Sequence, residues 1–326
     1  MPFHHFELTI YSMKNVNDRR GIFILLFISI AGIFILLSDG EKPVKKSDQE
    51  KLETKTLSVI HSLGLKDLEL INNAYLENKE FIQRPNGKVF GGIVPHHYSI
   101  AASVIAGFYE GISSQQVDTI IVLGPDHFNT AKHPIVTSLE SFPTLFGIIN
   151  PENNLITSLL KYGGVFVEEL PFETEHSIYS QLPFIKKTFP NAKIVPLIIN
   201  ISATKEDADK LSDSIAKYLK ENSIKNILVL ASVDFVHYLD SVEADRLDKE
   251  SILAFATLKP EKVLGLTDQL NLDSKISVYT LFKTMEALGV NKTQLVVETN
   301  SGNLSKPPFT EKVVSYISLY LLKDKN

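Results

Sequence analysis

The chain of 326 residues contains no cysteine. That excludes disulfides, thiolate zinc sites, iron–sulfur clusters and a cysteine nucleophile, so any metal must sit on histidine, carboxylate or water. Tryptophan is absent too, which leaves 19 Phe and 11 Tyr to carry the aromatic packing. Neither charge sign dominates: 33 Lys+Arg stand against 38 Asp+Glu. This balance fits neither a disordered chain nor a polybasic nucleic-acid surface, and no nucleic-acid partner is expected. The nucleotide-cradling patterns G-x-x-x-x-G-K-[ST] and G-x-G-x-x-G are missing, as is the G-x-S-x-G turn that would make Ser177 or Ser232 a nucleophile.

One apolar run stands out. Gly21–Ser38 holds 18 residues without a charge. As a helix it would cover about 27 Å, close to the hydrocarbon thickness of a bilayer. It reads as an uncleaved transmembrane anchor that follows an N-terminal tail (1–20) and precedes a charged, solvated linker (39–56). Arg19 and Arg20 abut its N-terminal end, so the expectation is a single-pass membrane protein with residues 57–326 outside the cytoplasm.

Beyond the linker, β-branched runs alternate with helical patterns. Val89–Val94, Thr119–Leu123, Ile194–Ile199, Ile227–Ala231, Leu295–Glu298 and Val313–Leu319 read as strands. Ser99–Glu110, Ser177–Thr188, Lys205–Lys220, Ala244–Ala256 and Ile276–Leu288 read as helices. The alternation predicts one three-layer α/β/α domain with a mixed, mostly parallel sheet.

Three of these strands run straight into histidine: Pro95-His96-His97 after the first, Gly124-Pro125-Asp126-His127 after the second, and Ser232-Val233-Asp234-Phe235-Val236-His237 after the fourth. A fourth group, Glu173-Thr174-Glu175-His176-Ser177, precedes a helix that Thr174 or Ser177 could cap. Imidazole can act as a neutral metal ligand or a proton carrier, and the neighbouring Asp126, Glu173, Glu175 and Asp234 could orient it. His61 and His133 lack such neighbours in sequence and read as structural; His4 and His5 precede the apolar run.

The succession Val94-Pro95-His96, Gly124-Pro125-Asp126-His127, Glu175-His176-Ser177-Ile178 with Gln181-Leu182-Pro183-Phe184, and Ser232 to His237 resembles the Memo family, whose microbial members are called AmmeMemoRadiSam system protein B. The corresponding motifs are P-H-x-G-Y, G-P-x-H, E-H-S-x-E-x-x-L-P-[YF] and S-x-D-F-x-H, in this order, over roughly residues 88–320. The resemblance implies a fold similar to the class III extradiol ring-cleaving dioxygenases, where two histidines and a carboxylate hold iron. It implies a divalent metal, iron or copper before zinc, on His96 and His127, with His176, Asp234 and His237 as neighbouring or acid–base groups. It also implies AMMECR-type and radical S-adenosylmethionine proteins as partners, which conflicts with an extracytoplasmic domain.

Two departures bear on the site. The family's third ligand is a cysteine in C-G-R-x-P-I, where this chain has Asn271-Leu272-Asp273-Ser274-Lys275-Ile276. Counting without gaps lands on Asn271; a two-residue deletion presents Asp273, which is either the third ligand or the cap of the following helix. His97 stands where the family has a small residue and is either an extra ligand or a bulkier wall. Whether the chain is an enzyme stays open: a non-haem metal-dependent oxidoreductase of dioxygenase type, or a non-catalytic metal- or ligand-binding scaffold.

Overall fold

A computed structural model describes residues 65–324. These form an α/β domain around a nine-stranded sheet. Its strands are β1 (Gly87–Val94), β2 (Thr119–Pro125), β3 (Ile135–Thr137), β6 (Phe166–Val167), β7 (Lys193–Ile199), β8 (Ile227–Ser232), β9 (His237–Leu239), β10 (Lys292–Asn300) and β11 (Val313–Asp324). A separate hairpin pairs β4 (Phe142–Thr144) with β5 (Gly147–Ile149).

The order across the sheet is β10-β11-β1-β8-β2-β7-β3-β6, with β9 added to β11. The central four, β1, β8, β2 and β7, are parallel; β11, β10 and β3 join antiparallel. The expected mixed, mostly parallel sheet is therefore present, and all six expected strands lie in it.

β2 shows why the parallel strands read as continuous apolar runs. Ile120 and Val122 face one side, packing with Ile105, Phe108 and Leu182, while Ile121 and Leu123 face the other with Leu211, Ile215 and Leu281. Successive side chains point to opposite faces, so a strand covered on both faces must be apolar at every position. The first face is covered by helices Leu65–Glu77, Tyr98–Gly111 and Leu182–Thr188, and the second by Asn153–Tyr162, Lys205–Glu221 and Lys275–Ala287.

Two local expectations change. The single helix expected over Ser177–Thr188 is two: His176–Tyr179, capped by the Glu175 side chain accepting from Ser177 N–H, and Leu182–Thr188. Pro183 has no N–H to give to the preceding turn but is tolerated in the first turn of a new helix, so the chain restarts there. The helix that begins at Lys275 is capped by Ser274, whose hydroxyl accepts from Ser277 N–H, and not by Asp273.

The membrane placement is corrected as well. Among the described residues no helix is long and apolar enough to cross a membrane. The longest, Lys205–Glu221, has 17 residues; it spends Leu211, Ile215 and Leu219 on the sheet and keeps charged side chains on its outer side. That helix has one face on the sheet and one in water, which is not the pattern of a bilayer span. A single-pass localisation with an extracytoplasmic domain is accordingly not retained. The run Gly21–Ser38, with the tail 1–20 and linker 39–56, lies outside the described residues, as does His61.

Candidate metal centre

The C-terminal ends of β1, β8 and β2, three neighbours in the sheet, converge on one crevice. His96 follows β1 through Pro95 and is 1% exposed. Its Nδ1–H donates to the Ser232 carbonyl at 3.0 Å, which fixes the tautomer and leaves Nε2 facing the crevice. His127 follows β2. Its Nδ1–H donates to Glu175 Oε1 at 2.9 Å and its backbone N–H to Glu175 Oε2 at 2.7 Å, so one buried carboxylate holds both ring and main chain. Its Nε2 is likewise left free.

Both free nitrogens meet Asp273. Asp273 Oδ2 lies 3.2 Å from His96 Nε2 and 3.5 Å from His127 Nε2. The segment that carries it is strapped to the end of β8: Phe235 bridges Leu272, Asp273 N–H donates to the Asp234 carbonyl, and Asp234 N–H returns to Asp273 Oδ2 at 3.1 Å. Asp234 completes the set, with Oδ1 accepting from His96 N–H at 3.0 Å and Oδ2 at 3.5 Å from His96 Nε2. Asn271 is turned away; its amide accepts from Thr267 N–H and donates to the Leu247 carbonyl.

His176 closes the group. Its ring stacks on His127 at 4.3 Å between centroids and meets His96 edge-on at 5.1 Å. Two sets of ligand atoms, His96/His127/His176 and His96/Asp234/Asp273, each lie within 4.8 Å of one another and could hold a metal ion. The spacing fits: ligands about 2.0–2.2 Å from one ion stand about 3.0–3.5 Å apart. Asp273 Oδ1 is buried without a hydrogen-bond partner, which is costly for a carboxylate oxygen unless a cation or donor meets it.

Electrostatics agree with that need for positive charge. Burial alone would push the His96 and His127 imidazoles down, but the facing carboxylates outweigh it and hold them up, at about 9 and about 10. Burial would raise the Asp273 carboxyl, yet the two imidazoles hold it well below the usual range. His176 goes the other way, pulled down to about 4 by burial and by its two imidazole neighbours, so it is neutral near pH 7. In metal-free protein two protons neutralise what a divalent cation would neutralise in their place.

A cavity of about 460 Å³ opens onto the cluster; His97, His237, Tyr238 and Gln269 form its outer part. A second, of about 520 Å³, meets the first at His127, Gln269 and Asp273. His97 is a wall residue, its Nδ1 paired with the Tyr316 hydroxyl at 2.8 Å. His237 lies in the outer cavity and outside both ligand sets.

Of the remaining sequence neighbours, Asp126 accepts from Thr130 N–H, Ala131 N–H and Asn200 and so ties its own loop, while Glu173 is exposed. His133 packs on Phe166 and pairs with Glu168, both distant in sequence. The Ser177 hydroxyl donates to the Pro125 carbonyl and the Ser232 hydroxyl to the Ser177 carbonyl, which suits architecture and not nucleophilic attack. Gln181 joins Pro95 and Ser232, pinning the ends of β1 and β8 together. Gln181 is marked in sequence only as the first residue of Gln181-Leu182-Pro183-Phe184, with no role assigned; nothing marks Tyr238 and Gln269.

Fold and site together define an α/β/α protein whose parallel strands deliver a histidine–carboxylate cluster with room for a cation. The chain belongs to the Memo family: the family model described as Memo-like protein matches residues 66–320. Similar proteins include a MEMO1 family protein of Saccharolobus solfataricus, 30% identical over 64% of this chain and 71% of its own length. Another, from Pyrobaculum arsenaticum, is 26% identical over 84% of this chain and 94% of its own. Among solved structures, an uncharacterized Escherichia coli K12 protein matches 72% of this chain and all of its own at a TM-score of 0.49 and 10% identity.

Proposed function

We propose that His96, His127 and Asp273 hold one divalent metal ion and that the chain is a non-haem metal-dependent oxidoreductase of dioxygenase type. The observation that carries this reading is the convergence of two free Nε2 atoms on Asp273 Oδ2, beside an unpartnered Asp273 Oδ1 and an open cavity. Two neutral imidazoles and one carboxylate, with open positions left over, form a donor set that suits ferrous iron. Without a thiolate the set favours iron over copper(I) and, in its openness, over a closed zinc site. Bound there, iron would supply positions for oxygen and for a chelating substrate.

The protein's own groups have distinct tasks in this reading. Glu175 fixes the His127 tautomer and Ser232 that of His96, which keeps each Nε2 lone pair aimed at the ion. His176, whose ring lies against both His127 and His96, is placed to exchange a proton with substrate, and Asp234 braces His96 by accepting from its N–H. His237 faces substrate from the outer cavity. The test is metal content of protein purified without added metal salts, followed by iron-dependent oxygen uptake. Protein that takes up no divalent ion in the titration refutes the reading.

One observation supports a second reading. The chain has no cysteine to serve as the family's third ligand, so chemistry that depends on a thiolate ligand has no counterpart here. The site would then bind metal or a small ligand without turnover, as a module working with AMMECR-type and radical S-adenosylmethionine proteins. Stoichiometric metal with no oxygen uptake across chelating substrates supports this alternative.

A further inference from the structure

Six described residues other than glycine have a left-handed backbone, and Tyr238, at φ 62°, is the least expected of them. Ser223 and Leu258 each follow the C-cap of a long helix, where such a residue is ordinary. Tyr238 has no such excuse. It sits inside β9, where Val314 pairs with His237 and Val313 with Leu239, so Tyr238 is the extra residue of a bulge. The left-handed position of such a bulge is glycine's by default, because a Cβ there crowds the backbone. A bulky residue is a true outlier and persists only where something else is gained.

Packing is not the gain, since Tyr238 is 70% exposed. The bulge instead places Tyr238 on the lining of the cavity that opens onto the histidine–carboxylate cluster. Gln269, also left-handed at φ 63°, lines the same cavity. Beside the ring stands His237, 5.7 Å away between centroids. The cavity lining therefore offers a flat aromatic face next to an imidazole.

We infer that Tyr238 is a ligand-contacting residue that selects planar oxyanions, its ring stacking on the ligand plane while the His237 imidazole N–H donates to an oxygen of the ligand. The inference rests on the proposed metal only insofar as a bound ion strengthens the anion's binding.

The test compares two hydroxy acids with the same donor groups, planar salicylate and non-planar 2-hydroxyisobutyrate. Their affinities are measured by calorimetry on the full chain, metal-free and after loading with Co(II), with Co(II) content determined for every protein. Tyr238→Gly and Tyr238→Asn should weaken salicylate about five- to tenfold, as a lost ring stack does. 2-Hydroxyisobutyrate should stay within about twofold, and Tyr238→Phe should keep wild-type affinity for both. The variants relieve the left-handed strain and give up only the minor buried part of the Tyr238 side chain, so Tm should not fall.

Equal loss on both acids, unchanged salicylate affinity, no salicylate binding by the wild type in either state, or a fall in Tm overturns the inference. A wild-type chain that takes up no Co(II) refutes the metal reading instead, and the metal-free comparison still decides Tyr238.

Discussion

Replacing Asp273 by Asn keeps the shape of the side chain and removes its charge from between two imidazoles. The amide can still accept from Asp234 N–H, so the strap to β8 survives while the anionic donor is lost. Groups that only orient a ligand cost about 10–100-fold in metal affinity when removed, so loss of a ligating carboxylate should cost about 100-fold or more. His127→Ala should cost as much. The assay is titration of chelator-treated protein with Fe(II) under nitrogen against a competing chelator. Wild-type affinity in Asp273→Asn refutes the assignment of Asp273 to the ion.

The same variant has a second signature in the metal-free protein, and its sign is fixed by the direction of the shift. The fully buried His96 is raised from 6.5 to about 9, so it contributes stability that is complete below pH 6.5 and is lost as pH rises through 9. At pH 7 that contribution is about 2–3 kcal/mol for His96, shared between Asp273 and Asp234, and the pairing of Asp273 with His127 adds to it. Asp273→Asn should thus be destabilised by about 2 kcal/mol or more at pH 7. The deficit should shrink as pH rises through 9 and 10, where the wild-type imidazoles lose their protons in turn. Urea melts at several pH values in the presence of a chelator measure it, and a deficit that grows with pH contradicts the charge pairing.

Three further outcomes are expected. His96→Ala with His127→Ala should abolish metal uptake while the far-ultraviolet circular dichroism stays native; unchanged metal content would remove the histidine cluster from any metal reading. Ser274→Ala should cost about 0.5–2 kcal/mol in denaturant melts and leave metal affinity alone, since Ser274 and not Asp273 caps the helix. Gly124→Ala should cost about 1–3 kcal/mol and weaken metal binding, because a Cβ there would overlap the Ser177 side chain beside Glu175 and His176. Wild-type stability in that variant would show that the close approach of β2 to the 175–177 turn can relax.

The six strands and four of the five helices read from the sequence are present with ends shifted by a few residues, because long periodic runs state their own burial. Helices Leu65–Glu77 and Asn153–Tyr162 and the short strands β3 to β6 went unread. Strands of two or three residues carry too little period to announce themselves; β3 exists because β7 offers a partner and β6 because β3 does, while β4 and β5 pair with each other. The division of Ser177–Thr188 was written in Pro183, whose missing N–H outweighed the apolar spacing.

The sequence by itself determined the material of the site. Absence of cysteine confined any metal to histidine and oxygen ligands, and β-branched runs ending in Pro-His or Gly-Pro-Asp-His placed imidazoles where parallel strands stop. Only the tertiary structure decided which of those groups meet. His96 and His127 come together because β8 lies between β1 and β2, a strand order that no local pattern encodes. Asp273, and not Asn271, faces them because Asp234 holds the Asp273 backbone and carboxylate, while Thr267 N–H and the Leu247 carbonyl hold the Asn271 amide elsewhere. Tyr238 turns outward only because β9 carries one residue more than β11 can pair, and a bulge belongs to two strands at once.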